Sequence, residues 1–298
     1  MAATPTAPFI RLDDRGLIAL AGDEAIPFLQ NLVTNDVEPL AAGRAIYAAL
    51  LTPQGRYLFD FLLAPFGGRI LLDCERARLD DLKRRLTLYR LRTKVTIDDI
   101  SADYAVFAIA GVEAARRVGL SDAPEARPLG DGVAYADPRL AALGGRAVLP
   151  RGTGDAPLVA AGLNAAARET YDRLRYRLGV GEGAAELGVD GTLALETGLE
   201  ALNGVSFAKG CYVGQEVTTR MKTRALVKKR LVPVAIDGPP PAPGTTVRRG
   251  DSEAGEMRAA AGDIGLALMK LDALCGNGPL TAGTATLTPQ PAAWLGLP

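Results

Sequence analysis

The chain has 298 residues, with 34 cationic side chains, 34 anionic ones and no histidine. The missing imidazole excludes Ser-His-Asp and Cys-His catalysis, HExxH zinc proteases and histidine-ligated haem. Zero net charge argues against wholesale nucleic-acid binding, and the length predicts about two domains with a sizeable core.

Gly16–Leu20 predicts a short strand. Asp23 is placed to cap a helix with Ile26, Leu29, Leu32 and Val33 on one face, and Pro27 falls in its first turn. A hairpin follows. Arg44–Leu51 and Arg56–Leu63 are apolar and β-prone, and Thr52-Pro53-Gln54-Gly55 between them supplies turn residues. Arg69–Asp73 reads as a third strand. It precedes a helix from Glu75 to about Arg90, with Leu79, Leu82, Leu86 and Tyr89 facing inward. Tyr104–Ala110 is another β run.

Residues 121–162 are rich in Gly, Pro, Ala and Asp, with short strands expected at Val133–Ala136 and Ala147–Leu149. Asn164 is a candidate cap for a helix running to Leu178, and Gly179–Gly191 reads as loop. Leu226–Ile236 is β-like. The Asp237–Gly244 stretch, with four prolines, reads as a linker. Strands near Thr245–Arg248, Ile264–Lys270 and Thr284–Thr288 then predict a small β-barrel-like module. The fold class is α+β, with a boundary expected between residues 1–236 and 237–298.

Cys74, Cys211 and Cys275 lie far apart and form no CxxC, so neither a zinc knuckle nor a disulfide framework is indicated. Met1–Ile10 lacks the basic start and apolar core of a signal peptide. No stretch offers roughly 18 consecutive apolar residues, so no membrane partner is expected. The expected location is the cytoplasm, and nothing suggests more than a monomer.

The richest chemistry lies in Lys209-Gly210-Cys211-Tyr212-Val213-Gly214-Gln215-Glu216. Gly210 and Gly214 permit left-handed backbone, and between them stand a thiol and an aromatic. Lys209 offers a cation for a carboxylate or for lowering the Cys211 pKa. Gln215 and Glu216 open a helix, where acidic and amide groups favour the dipole. A buried small cysteine beside a capping pair is the simpler reading of such a loop. A covalent cysteine enzyme is weaker still, for want of a base. Arg220, Lys222, Arg224, Lys228, Lys229 and Arg230 form a cationic run. It reads as a solvated face or an anion contact, and direct RNA binding is not expected.

This segment, with Leu193–Phe207 before it and Thr218–Val234 after it, closely resembles the folate-binding iron–sulfur cluster assembly and repair proteins of the YgfZ type. Leu29–Val37, Tyr47–Leu63, Tyr89–Ser101 and Arg175–Gly183 carry the likeness through most of the chain. The resemblance implies a fold like the glycine-cleavage T-protein aminomethyltransferase: two interwoven α/β domains around a central cavity, plus a C-terminal barrel. It further implies a tetrahydrofolate or derivative, with Glu196 on the pterin ring and Arg220, Arg224 or Lys222 meeting the glutamate tail. Lys209, Gly210, Tyr212, Gly214, Gln215 and Glu216 belong to the same expected site. Cys211 is the implied functional thiol, a transient ligand of a cluster shared with a partner.

Phe59 and Asp60 stand where the transferases carry an acidic pair, one of them catalytic, so only Asp60 remains as a catalytic candidate. An accessory role with iron–sulfur carriers or clients, tRNA-modifying radical enzymes among them, is therefore expected over the alternative of one-carbon transfer.

Overall fold

The computed structural model describes residues 7–296. The first six residues of the Met1–Ile10 stretch lie outside the described residues. The chain divides into two compact units. The first comprises Met1–Leu50, Phe59–Tyr171 and Asn203–Tyr212; the second comprises Leu51–Leu58, Asp172–Leu202 and Val213–Pro298.

The first unit is built on two sheets. One has the order β11-β1-β7-β10-β9-β8, from Asn164–Ala165, Pro8–Arg11, Tyr104–Ala110, Gly144–Pro150, Gly132–Ala136 and Ala126–Leu129. The other runs β3-β4-β5-β2-β6, from Ile46–Leu51, Tyr57–Phe66, Arg69–Glu75, Arg15–Ala21 and Thr96–Asp99. Its strands β3 and β4 are buried on both faces and mostly apolar, with Asp60 the charged exception. The hairpin expected at Thr52–Gly55 is present, closed by Gly55 N–H donating to Thr52 O at 2.9 Å. Helix Leu79–Arg90 turns Leu79, Leu82 and Leu86 inward, as their spacing predicts. Tyr89, expected on the same face, is exposed instead. It stands in the last turn, where the helix ends at Leu91.

Asn164 does not cap a helix. Its N–H donates to Ala7 O at 3.0 Å, and residues 164–165 pair in parallel with β1. The helix begins at Arg168. Asp23 likewise makes no capping bond to the helix Ala25–Gln30. The glycine-rich stretch 179–191 contains a short helix, Gly183–Leu187. Arg175 draws it in, bonding both carboxylate oxygens of Glu186 at 2.7 and 3.0 Å, a charged pairing that apolar periodicity does not report.

The second unit contains a closed barrel, β12-β15-β14-β13-β16-β17. In that order its strands are Lys229–Asp237 (β12), Ile264–Lys270 (β15), Ser252–Ala261 (β14), Thr246–Arg249 (β13), Leu280–Ala282 (β16) and Ala285–Pro289 (β17). Val232, Val234, Met257, Ala267 and Leu287 are among the side chains that fill it. The barrel thus takes its first strand from before the proline-rich segment. Strands β14 and β16 escape the sequence reading because Ser252–Ala261 is rich in small and charged residues and Leu280–Ala282 is very short.

A buried ionic network links strand residues of the first unit's two sheets. Arg15 Nε meets Asp73 Oδ1 at 2.6 Å, and Arg146 Nε lies 3.5 Å from Asp73 Oδ2, with all three side chains almost fully buried. Asp73→Ala would leave two guanidiniums buried without their carboxylate, so a loss of about 3–5 kcal/mol is expected in denaturant unfolding. Asp13→Ala, which breaks the exposed Arg11 pair, should shift stability by less than about 1 kcal/mol.

Candidate functional site

In the first unit, the chain returns at Asn203 and lies along residues 33–35. Thr34 Oγ1 donates to Gly204 O at 2.6 Å and accepts Ala49 N–H at 2.9 Å. Ser206 N–H donates to Thr34 O at 3.0 Å. Asn35 Nδ2 donates to Asn203 O at 2.7 Å and to Tyr47 O at 2.9 Å. The Lys209 ammonium donates to Val33 O and Asn35 O, each at 2.7 Å, and lies 5.4 Å from the Tyr212 ring centroid. Burial pushes the Lys209 amine down to about 8, with Asp36 opposing the shift. Lys209 is therefore a brace bound to backbone carbonyls, where the sequence suggested a cation reaching toward a ligand.

Tyr212 is buried and Cys211, between the two anchors, is exposed. This overturns the simpler reading of Cys211 as a small buried residue. Cys74 is the buried cysteine, and burial pushes its thiol up to about 12. Cys275 is exposed elsewhere, and all three thiols are free.

The second unit holds the rest of the motif. A helix spans Gln215–Thr223, as expected, and Gly214 precedes it with φ 85°. A Cβ on Gly214 would stand 2.6 Å from Thr52 O in the hairpin turn. Gly210 differs: it is outside the left-handed region, and a Cβ there meets nothing within 4 Å.

The short helical turn Ala194–Thr197 packs against helix Gln215–Thr223 and against β12. Glu196 Oε2 accepts Leu193 N–H at 3.2 Å and caps that turn. Arg230 donates to Leu195 O, and its guanidinium is influenced by Glu200 and Glu196. Lys222 pairs with Glu200 at 2.6 Å. The cationic run is thus divided. Lys222 and Arg230 are engaged locally, and Arg220, Arg224 and Lys228 stay exposed. Gln215 is half-buried and Glu216 exposed.

Asp60, in the first unit, is buried and accepts the Tyr47 hydroxyl at 3.4 Å. Arg139 lies over the Tyr47 ring, its guanidinium carbon 5.6 Å from the centroid. That guanidinium bonds both oxygens of Asp137, at 2.9 and 2.7 Å, and the Tyr171 hydroxyl at 3.0 Å.

A model of the CAF17 C-terminal beta-barrel domain matches residues 228–297, and one of the GCVT N-terminal domain matches residues 12–120. The chain is 35% identical to the mitochondrial iron–sulfur cluster assembly factor IBA57 of Mus musculus, over 92% of this chain and 80% of that one. The Homo sapiens protein is 36% identical over 91% of this chain and 79% of its own. The chain belongs to the IBA57 family. Its fold matches that of the glycine cleavage system aminomethyltransferase T from Bartonella henselae, with a TM-score of 0.78 over 97% of this chain and 86% of that one, at 15% identity. The T-protein-like fold with a closed C-terminal barrel is therefore as expected.

Two expectations change. The relatives named are mitochondrial IBA57 proteins, in place of the bacterial YgfZ type. The same finding overturns the cytoplasmic location.

Sequence reading missed what braces the IBA57-family loop. Thr34 and Asn35 lie in the quoted Leu29–Val37 stretch, yet nothing in their spacing points to a partner about 170 residues away. Asn203, with φ 56°, was the available signal, since an Asn-Gly pair marks a left-handed turn. Gly214→Ala should destabilise by roughly 1–3 kcal/mol, through its positive φ and the Thr52 carbonyl. Gly210→Ala should stay within about 0.5 kcal/mol. Parallel urea titrations of the two variants test the contrast.

Proposed function

We propose that the protein serves iron–sulfur cluster assembly by presenting Cys211 as a thiolate ligand for a cluster in transit, the remaining ligands coming from a partner. The observation that carries this reading is an exposed thiol held between two fixed neighbours, Lys209 on two backbone carbonyls and buried Tyr212. A thiolate binds iron as the thiol loses its proton, and one sulfur on a surface loop leaves the cluster's other iron sites to a second protein. The absence of histidine suits this role, since ligation needs no imidazole to relay a proton. The names of the relatives support the role in iron–sulfur cluster assembly. Iron–sulfur carriers and client enzymes, radical enzymes that modify tRNA among them, are the proposed partners.

Tetrahydrofolate or a derivative is the proposed cofactor, and bound it would supply a reduced pterin able to carry a one-carbon unit. The donor set in the second unit fits it. Glu196 keeps Oε1 without a hydrogen-bond partner among the described residues, while Oε2 holds the Leu193 cap. A pterin N–H can donate to Oε1, and a second parallel bond requires the cap to yield. Gln215 and Glu216 stand on the helix packed against that turn, and Arg220 and Arg224 leave exposed charges for an anionic tail. Lys209 does not join this set, because its ammonium is already held by Val33 and Asn35. The one-carbon transferase reading is the weaker one. Phe59 stands where a second acid would be, and Tyr47 already donates to the Asp60 carboxylate.

Cys211→Ala should leave the thermal unfolding midpoint unchanged and lower cluster delivery to an apo client at least about tenfold, while Cys275→Ala delivers normally. Undiminished delivery by folded Cys211→Ala would remove the ligand role. In tetrahydrofolate titrations, Glu196→Gln should keep the cap yet weaken binding about tenfold or more, the worth of a charged hydrogen bond. Equal affinities would discard the Glu196 assignment.

A further inference from the structure

Helix Leu79–Arg90 ends in a four-residue turn, Arg90–Thr93, closed by Thr93 N–H donating to Arg90 O at 2.8 Å. Leu91 takes its second position with φ 47° and ψ −110°. That is the conformation of a type II′ turn, where glycine is the usual occupant because a Cβ is strained. The leucine gains no packing in return, since it is 86% exposed. Leu88 and Tyr89 beside it are 69% and 42% exposed. Half of the large apolar side chains left exposed among the described residues thus fall within four positions; the others, Val159, Val189 and Leu226, lie apart in sequence.

The local sequence is cationic, and one exposed acid reaches it from another element: Glu24 Oε2 accepts Lys94 N–H at 2.5 Å. Lys83, Arg84, Arg85, Arg90, Arg92 and Lys94 occur with no acid in residues 83–94. Asp81, one turn before, pairs with Arg84 and Arg85. Arg90 donates to Val95 O at 3.3 Å. The side chains of Arg92 and Lys94 are exposed and have no partner among the described residues.

We infer that this turn is a peripheral contact for an anionic lipid bilayer, with Leu88, Tyr89 and Leu91 entering the interface and Arg90, Arg92 and Lys94 meeting the lipid headgroups. The arrangement of the apolar groups selects the partner. A helix seated in a protein groove presents one face at i, i+3 and i+4. Here residues 88 and 89 are successive, about 100° apart around a helix axis, and Leu91 lies past the helix in the turn, so the three cluster at the helix end and do not form a stripe along it. Three apolar side chains hold weakly by themselves, and adjacent cations supply the second attraction that peripheral binding requires. Lysine and arginine stems also lie along apolar surface with their heads in water. No helix among the described residues is long and apolar enough to cross a membrane, and the contact proposed does not cross one. It departs from the sequence expectation of no membrane partner, which rested on the absence of a spanning segment.

The test is co-sedimentation of the full chain with vesicles of phosphatidylcholine alone or mixed equally with phosphatidylglycerol, at low and high salt. Binding is expected only to the mixed vesicles and should fall as salt rises. Leu91→Gly removes the apolar tip and also relieves the strained turn. It should unfold no earlier than wild type and bind about tenfold more weakly. Arg92→Gln with Lys94→Gln should weaken binding by about tenfold or more. Absence of binding to mixed vesicles at low salt would overturn the proposal, as would unchanged binding by Leu91→Gly. Two further outcomes would also overturn it: retention on poly(U) RNA that depends on Arg92 and Lys94 but not on Leu91, and a Leu91-dependent dimer in lipid-free solution.

Discussion

The ammonium of Lys209 carries much of what is distinctive in this protein. The chain leaves the first unit at Asp172 and returns at Asn203. Returning after so long an excursion costs loop entropy, and the contacts that offset it are hydrogen bonds to the backbone of residues 33–35. A lysine can do this because its amine carries three donors on a long stem. Half-burial makes the charge costly, which is why the amine loses its proton more readily than usual; two carbonyls and the nearby Asp36 compensate. With Lys209 tied down and Tyr212 buried, the intervening Gly210 and Cys211 have little freedom, yet the sulfur faces solvent. The ligand role proposed for Cys211 rests on that combination of exposure and position.

The same principle, charge held by a specific partner, organises the interior. Arg15, Arg139, Arg146 and Arg175 are all buried, and each meets a carboxylate: Asp73 for two of them, Asp137 for the third, Glu186 with Asp172 for the fourth. Such pairs favour one arrangement over its alternatives more than they add stability. Cations gather elsewhere along the chain, at residues 83–94 and again at Arg220, Arg224 and Lys228. Zero net charge thus limits long-range steering but says little about any one patch.

Legibility followed the range of the forces involved. The hairpin, the strand Tyr104–Ala110 and the helix start at Gln215 depend on neighbours in sequence, and all were read there. The T-protein-like architecture came through a resemblance carried by motifs. Asn164 was misread because its hydrogen bond goes to Ala7, a partner that no local pattern reports. Tyr89 was misread because helical spacing gives a face but not how far the sheet beneath it extends. Gly210 and Gly214 look alike in sequence. Only the carbonyl of Thr52 beside Gly214 separates a required glycine from one that is merely tolerated.

By itself the sequence determined the chemical inventory. There is no imidazole, there are three cysteines, a single acid stands at the hairpin position, and Lys209–Glu216 forms one dense motif. These follow from composition and spacing, which folding cannot alter. The tertiary structure alone decided which cysteine is buried and which is presented, and that Lys209 braces the backbone of Val33 and Asn35. Those outcomes depend on burial and on hydrogen bonds between residues distant in the chain, and neither is encoded in any local run of side chains.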